Sequence, residues 1–218
     1  MKSSLKHAMC MALSCVSTLW AQDSLYPTTD VYDSIEVLPY KMHGWHLHEA
    51  QVKDLFSRKD IRTVIEVGSW LGKWTIQIAK MLPEGGVIYA VDHWKGSVEH
   101  HNAGSLESTF LPKLFEQFLS NVIQSKVRDK VMPVRMNSLA AAKLFREQGI
   151  TADLIYIDAS HDYRSVLADI TAWYPLVAEG GTFSGDDWNL GDVPRAVTDF
   201  AKRRGLTVCH VGDFWWYE

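Results

Sequence analysis

The sequence RTVIEVGSWLG, from Arg62 to Gly72, is the most informative part of the chain. Its apolar, largely β-branched first half predicts a buried strand, and Gly68 and Gly72 predict a tight turn that leads into a helix. The two glycines follow a Gly-x-x-x-Gly spacing, whereas a bound pyrophosphate favours Gly-x-Gly-x-x-Gly. This spacing disfavours a dinucleotide cofactor and an NAD-dependent oxidoreductase.

Apolar runs and helical patterns alternate outward from this stretch. The predicted strands are Arg62–Val67, Val87–Asp92, Lys130–Arg135, Asp153–Asp158 and Gly181–Asp186, and the predicted helices are Lys73–Met81, Leu111–Ile123, Leu139–Gln148, Tyr163–Leu176 and Val193–Arg203. Strands that are apolar throughout and separated by helices form a parallel sheet covered on both faces. Leu206–Val211 and Phe214–Tyr217 predict a C-terminal antiparallel hairpin, which completes a mostly parallel seven-stranded α/β sheet. The hairpin either packs on its own sheet edge or pairs across a homodimer.

Length and charge restrict the classes of function. The 218 residues suit one catalytic domain, which we place at residues 40–218, behind a linker or lid at residues 22–39. The 22 basic and 26 acidic residues give a net charge of −4, and the basic residues are scattered rather than arranged in a stripe. Nucleic acid is therefore not expected as a partner.

Residues 1–21 resemble a secretory signal peptide. Lys2 and Lys6 precede an uncharged run from Ala8 to Trp20, which is too short for a convincing transmembrane span. This pattern predicts export to the periplasm or the medium, and no transmembrane segment in the mature chain. The alternative is an upstream start codon and a retained extension, which would leave the protein cytoplasmic.

Asp92 ends the second predicted strand, 20 positions after Gly72, where comparable folds bind ribose hydroxyls. The two strand ends together resemble the first two motifs of class I S-adenosylmethionine-dependent methyltransferases, which have a Rossmann-like fold. The resemblance implies S-adenosylmethionine as the cofactor. It places Glu66, Gly68 and Gly72 at the methionine part, Asp92 at the ribose, and Asn137 and Ser138 beside the adenine. Ser69, His93 and Asp158 are expected at the cofactor as well. For Asn137 and Ser138 the alternative is that they only cap the following helix.

Acidic residues also end the fourth and fifth strands. Asp158, Asp186 and Asp187 should converge, because the ends of neighbouring parallel strands are about 4.8 Å apart. A hard divalent cation would relieve their repulsion, with Mg²⁺ expected first and Mn²⁺ or Ca²⁺ as alternatives. The pattern is similar to metal-dependent O-methyltransferases of the catechol and caffeoyl-CoA type, except that Asp187 replaces an amide.

His161 takes the position at which those enzymes carry a lysine base. Imidazole, with an ordinary pKa of about 6.5, suits a base that acts near neutral pH. The segments Asp92–Gly96, Leu114–Leu119 and Gly185–Trp188 further resemble the methyltransferase-24 group, which is related to macrolide sugar O-methyltransferases. In that group a histidine after the second strand approaches the substrate, which makes His101 a second catalytic candidate.

These features predict O-methylation of a small hydroxylated acceptor, such as a vicinal diol, a sugar or a catechol-like compound. The alternatives are hydroxylase-like chemistry, a metal-independent N- or C-methyltransferase, and a non-catalytic nucleotide-binding protein. His43, His46 and His48 raise the alternative of a zinc site, but we expect them in a lid helix over the substrate pocket.

Overall fold

The computed structural model describes residues 31–45, 48–102 and 104–218, with the backbone alone at Val98 and Glu99. The leader expected at residues 1–21 lies outside these ranges, as do residues 22–30 of the linker and His46, so the predicted export stays a prediction. The chain divides after Glu36, and before that point Val31–Ser34 form one 3-10 turn. The fold described below is that of Val37–Glu218.

Seven strands form one sheet, as the sequence predicts. They are β1 Thr63–Val67, β2 Val87–Asp92, β3 Val131–Arg135, β4 Ala152–Ile157, β5 Val177–Gly185, β6 Val208–Val211 and β7 Phe214–Tyr217. Their order is β3-β2-β1-β4-β5-β7-β6. The first five strands are parallel, and β7 runs antiparallel to both β5 and β6. The predicted fold class is therefore confirmed, with β6 at the sheet edge.

Six α-helices accompany the sheet within the described ranges. They are α1 Glu49–Arg58, α2 Lys73–Met81, α3 Leu114–Gln124, α4 Ser138–Glu147, α5 Tyr163–Trp173 and α6 Val193–Arg204. Two predicted helices are longer than the observed ones. Leu111–Lys113 and Tyr174–Leu176 form 3-10 turns instead, because Pro112 and Pro175 lack the N–H group that a continuous α-helix needs.

The lid helix expected around His43 and His48 is not present. Residues 36–45 have no regular secondary structure, and α1 begins only at Glu49. His48 precedes it in the left-handed conformation, with φ 45°. Gly44 has φ 152° and Lys73 donates to its carbonyl group, so this segment is held as an irregular chain. No helix of the described residues has the length and apolar character that a bilayer crossing requires.

The hairpin of β6 and β7 packs on its own sheet. Trp215 is fully buried, and Phe214 is 2% exposed. The indole Nε1 of Trp215 donates to the carbonyl oxygen of Asp186 at 2.8 Å. The hairpin therefore supports the backbone of the loop that follows β5.

Side chains of α3 hold the segment that precedes α1. Asn121 accepts a hydrogen bond from the Lys41 amide at 3.1 Å and donates to the Lys41 and Leu71 carbonyl groups. Ser120 accepts from the Leu38 amide at 2.9 Å. One buried asparagine thus joins the N-terminal segment to the loop that follows β1.

Candidate active site

A cavity of about 1140 Å³ opens at the carboxyl ends of the parallel strands. It includes the gap between β1 and β4, where the strand order reverses and where ligands bind in open α/β sheets. Pockets for one drug-sized ligand are about 300–1,000 Å³, so this cavity has room for two small molecules. The predicted site residues that line it are Glu66, Gly68, Ser69, Asp92, His93, Asn137, Ser138, Asp158, His161, Asp186 and Asp187.

Gly68 lies where the loop after β1 crosses the end of β4. Its φ is 98°, and a Cβ atom at this position would be 1.8 Å from the carbonyl oxygen of Asp158. Its amide donates to Val91 in β2 at 2.8 Å. The glycine therefore allows three neighbouring strand ends to meet at the cavity. Gly72 lies just behind the cavity lining and begins α2.

Asp92 organises this same loop. Its Oδ2 accepts from the amides of Ser69 and Trp70 at 3.1 and 3.0 Å, and its Oδ1 accepts from the amide of Trp94 at 2.7 Å. The carboxylate of Asp92 also lines the cavity. Ribose hydroxyls bound there would donate to the same carboxylate that already accepts hydrogen bonds from these backbone amides. The neighbouring His93 is half exposed, and its Nδ1 accepts from the Lys95 amide.

Glu66 is 1% exposed and lies at the wall of the cavity. Burial raises the pKa of its carboxyl group to about 8, against the opposing effect of a hydrogen bond from the Thr75 hydroxyl. A neutral or partly neutral carboxyl group can donate as well as accept a hydrogen bond. The protonation state of Glu66 therefore decides whether its carboxyl group can donate a hydrogen bond to a ligand near neutral pH.

The Glu66→Gln variant should weaken the pH dependence of stability. Between pH 4.5 and about 8 the folded wild-type protein keeps a proton on Glu66 that the unfolded chain has lost. The contribution of this group to stability is complete below pH 4.5 and is lost as the pH rises through about 8. Urea denaturation across this range, without ligand, should show a steeper fall in the free energy of unfolding for the wild type than for the variant. Parallel pH profiles would contradict the assignment.

The residues after β3 combine two roles. Asn137 caps α4, because its Oδ1 accepts from the Leu139 amide at 3.1 Å. The Ser138 hydroxyl donates to Asp169 and accepts from the Trp173 indole at 2.8 Å. Asn137 therefore does cap the helix, which does not exclude a second role. Both residues also line the cavity, so their contact with adenine stays a prediction.

The acidic residues of the fourth and fifth strand ends do converge. Burial, followed by the charges of Asp186 and Asp187, raises the pKa of Asp158 well above its ordinary value. Burial alone would also raise the pKa of Asp186, which is 6% exposed, but the hydrogen bond and charge of His48, with a further hydrogen bond from the Asp187 amide, together lower it. The Nε2 atom of His48 lies 2.7 Å from Asp186 Oδ1. Asp187 has a left-handed backbone with φ 65°, and its Oδ2 lies 2.9 Å from Nε2 of His161.

This donor set has the chemistry of a hard-cation site, because three mutually repelling carboxylates face one cavity. Their present arrangement is nevertheless not a coordination shell. Within the part of the chain that is described, no three His, Cys, Asp or Glu residues are grouped so that they could hold a metal ion. Asp186 and Asp187 instead direct one oxygen each to a histidine.

The two catalytic candidates differ in position. His161 lines the cavity next to Asp187, and its carbonyl group accepts from the Asp192 amide at 3.0 Å, which joins the loops after β4 and β5. His101 is exposed, and its Nε2 lies 3.0 Å from the Lys95 carbonyl oxygen. The 3-10 turn Val98–His101 directs the preceding His100 to the cavity instead.

Two sets of contacts in the cavity were not predicted from the sequence. The first is His48, which contacts Asp186 across 138 positions of the chain. The second is an aromatic wall, which we define as Trp45, Trp70 and His100. The ring centroids of Trp70 and His100 are 4.4 Å apart, and Trp45 stacks on His100 at 6.1 Å. Lys73 fixes this wall by donating to the Trp45 carbonyl at 2.7 Å. The sequence signal for the wall is the presence of nine tryptophans, with Trp45 and Trp70 beside predicted loops or element ends, where they are expected to line a pocket.

Comparisons with known proteins agree with this architecture. The fold matches an O-methyltransferase from Bacillus cereus in complex with SAH, at TM-score 0.59 and 15% identity over 93% of this chain and 96% of that one. It also matches the O-methyltransferase TomG from Streptomyces achromogenes in complex with SAM, at TM-score 0.58 and 17% identity over 93% and 94%. A third match is the O-methyltransferase NovP, at TM-score 0.63 and 14% identity over 93% and 98%.

No curated protein matches the sequence. A family model described as a methyltransferase domain matches residues 65–188, which is more than half of the chain. The matched segment runs from β1 to the acidic loop after β5 and so contains the glycine turn and the three converging carboxylates. The resemblance expected from the sequence is thereby confirmed, and the protein belongs to the methyltransferase-domain family and is a methyltransferase.

Proposed function

We propose that this methyltransferase transfers the methyl group of S-adenosylmethionine to a hydroxyl oxygen of a small acceptor. A vicinal diol, a sugar or a catechol-like compound is the expected class of acceptor. The cofactor is proposed because two of the similar structures contain SAH or SAM. The glycine turn and Asp92 of this chain also form a ligand-binding edge at the strand ends.

One observation carries the proposal. The glycine turn and the His161–Asp187 pair line the same cavity, whose volume exceeds that of an ordinary single-ligand pocket. A methyl donor bound at the turn and an acceptor bound at the pair would therefore share one enclosure. Catalysis of methyl transfer consists largely of such alignment, because the sulfonium methyl group is already activated.

The reaction is an in-line displacement. The acceptor oxygen forms a bond to the methyl carbon while the carbon–sulfur bond breaks, and S-adenosylhomocysteine leaves with the electron pair. The hydroxyl proton passes to His161. Oδ2 of Asp187 lies 2.9 Å from Nε2 of His161 and would stabilise the imidazolium cation that forms when the ring takes the proton.

A divalent cation completes the proposal. Asp158, Asp186 and Asp187 would hold Mg²⁺, or alternatively Mn²⁺ or Ca²⁺, and the ion would lower the pKa of the acceptor hydroxyl. The donor chemistry supports this part, because the charges of Asp186 and Asp187 add to burial in raising the pKa of Asp158, and a cation would relieve that repulsion.

Calorimetric titration of the protein with S-adenosylmethionine, with Mg²⁺ and again with chelator, tests the cofactor. Formation of S-adenosylhomocysteine with catechols, sugars and aliphatic diols tests the acceptor. We expect saturable binding, and turnover that chelator reduces and Mg²⁺ restores. Absence of binding under both conditions would overturn the proposed function. Turnover that is insensitive to chelator would remove the cation and leave the methyl transfer intact.

A further inference from the structure

Asp169 is a buried carboxylate to which the proposed reaction gives no role. It lies in the middle of α5, is 5% exposed, and lines the cavity beside Ser165 and Ala168. Among the described residues no Lys, Arg or His forms an ion pair with it. A buried charge without such a partner is costly, so it requires another compensating contact.

A hydrogen-bond chain fixes the orientation of this carboxylate. The indole Nε1 of Trp173 donates to the Ser138 hydroxyl at 2.8 Å, and that hydroxyl donates to Oδ1 of Asp169. The single hydrogen of Ser138 is therefore already used, and the hydroxyl has no donor left for a ligand. What this wall of the cavity presents to a ligand is the carboxylate of Asp169, an acceptor only.

The surroundings of Asp169 indicate what kind of ligand group binds there. Met136 and Leu139 flank Asn137 and Ser138 in the chain, Ala168 precedes Asp169, and all three contribute apolar side chains to the cavity lining. The Met136 amide donates to the carbonyl oxygen of Asp92 at 2.9 Å, so this part of the cavity lies next to the proposed ribose position. An apolar slot with one buried acceptor suits a flat ring that carries an N–H donor, and not the charged methionine part or the hydroxyl-rich ribose.

Ionisation of Asp169 is compatible with this role. Burial raises the pKa of its carboxyl group to about 6, the Ser138 hydrogen bond opposes that rise, and Asp162 adds to it. Above that pH the group is mostly ionised and can accept two hydrogen bonds, one from Ser138 and one from a ligand.

We propose that Asp169 accepts a hydrogen bond from the 6-amino group of the adenine ring and thereby selects adenine over hypoxanthine. The inference rests on the proposed use of S-adenosylmethionine and adds a residue that recognises the adenine ring. Hypoxanthine has a carbonyl oxygen in place of the amino group, so its 6-position would face Asp169 as a second acceptor. Ser138 and Trp173 are positioning residues in this arrangement, because they act through Asp169.

The Asp169→Asn variant gives a directional test. Ser138 must still donate to this side chain, so the amide should turn its oxygen to Ser138 and its NH₂ group to the ligand. In the variant the NH₂ group of the new amide would face the amino group of adenine, so that two donors meet. The same NH₂ group could donate a hydrogen bond to the carbonyl oxygen of hypoxanthine. We expect wild-type protein to bind S-adenosylhomocysteine at least about tenfold more tightly than S-inosylhomocysteine. In Asp169→Asn this ratio should fall to about one or invert.

Asp162→Asn is the matched control. It removes the same charge from the same helix outside the cavity lining, and asparagine preserves the N-cap that accepts from Arg164 and Ser165. Its ratio of the two affinities should equal that of the wild type. Both affinities are measured by calorimetry, with thermal unfolding of each variant as the check on folding.

The outcomes separate the two proposals. A wild-type protein that binds neither compound contradicts the proposed function, and the role of Asp169 with it. A wild-type protein that binds both compounds equally well overturns the role of Asp169 alone, whatever the variants do. The same conclusion follows if Asp169→Asn folds and keeps the wild-type ratio. A ratio that shifts in Asp169→Asn and not in Asp162→Asn supports the inference.

Discussion

The Gly68→Ala variant is expected to lose most of its stability margin and its affinity for S-adenosylmethionine. The added Cβ atom would lie 1.8 Å from the carbonyl oxygen of Asp158 and 2.8 Å from Cα of Ala159. These are backbone atoms at the end of β4, so they cannot move aside as a side chain would. Backbone strain at φ 98° and overpacking together should cost roughly 2–6 kcal/mol. Chemical denaturation and calorimetric titration measure the two losses.

Gly149→Ala is the control for backbone strain alone. Gly149 follows α4 with φ 67°, and a Cβ atom there would meet nothing within 4 Å. Its cost should be only about 1–2 kcal/mol, and affinity for the cofactor should not change. Equal losses in the two variants would show that the contact between β1 and β4 contributes nothing beyond local strain.

The His161→Ala variant should lower turnover by about 10²–10⁴-fold while the affinity for S-adenosylmethionine stays near that of the wild type. The ring is the proposed proton acceptor, and Asp187 orients it from 2.9 Å. Turnover is measured as S-adenosylhomocysteine formation and affinity by calorimetry. Added imidazole should restore part of the lost rate, because it can occupy the space of the missing ring and take the proton.

His101→Ala is the comparison for this variant. His101 is exposed and lies outside the cavity lining, so we expect its loss to change turnover less than about threefold. A His161→Ala enzyme with turnover near that of the wild type would remove His161 from the mechanism. A large loss in His101→Ala would instead return the second candidate to the reaction.

The sequence was sufficient for those site residues that directly follow a predicted strand. Gly68, Asp92, Asp158 and Asp186 each lie at the end of a predicted strand, and parallel strands bring such ends to one edge of a sheet. His161 was instead proposed from the resemblance to metal-dependent O-methyltransferases, and the structure places it at the same cavity. Local pattern, a general rule of topology and the resemblance together predicted about a third of the cavity lining, 11 of its 34 residues.

The other residues depend on contacts between distant parts of the chain. His48 reaches Asp186 only because an irregular segment runs ahead of α1, and no periodic pattern marks such a segment. Asp169 is a polar residue in a helix and looks like part of a solvated face until α4 is packed beside it. The resemblance pointed to His101, whereas it is His100 that lines the cavity, because the direction of side chains in a short 3-10 turn is not visible in sequence.

The position of β7 also determines the order in which the site can be completed during synthesis. β7 lies between β5 and β6 in the sheet, although both precede it in the chain, and its Trp215 supports the Asp186 backbone. When residues up to the end of β4 have emerged from the ribosome, the glycine turn and Asp92 have emerged as well. The acidic loop remains without its indole support until Phe214–Tyr217 emerge and insert beside β5. The loop after β1 and its contacts with Asp92 can thus form on the nascent chain, whereas the acidic loop after β5 is completed only after the hairpin has closed.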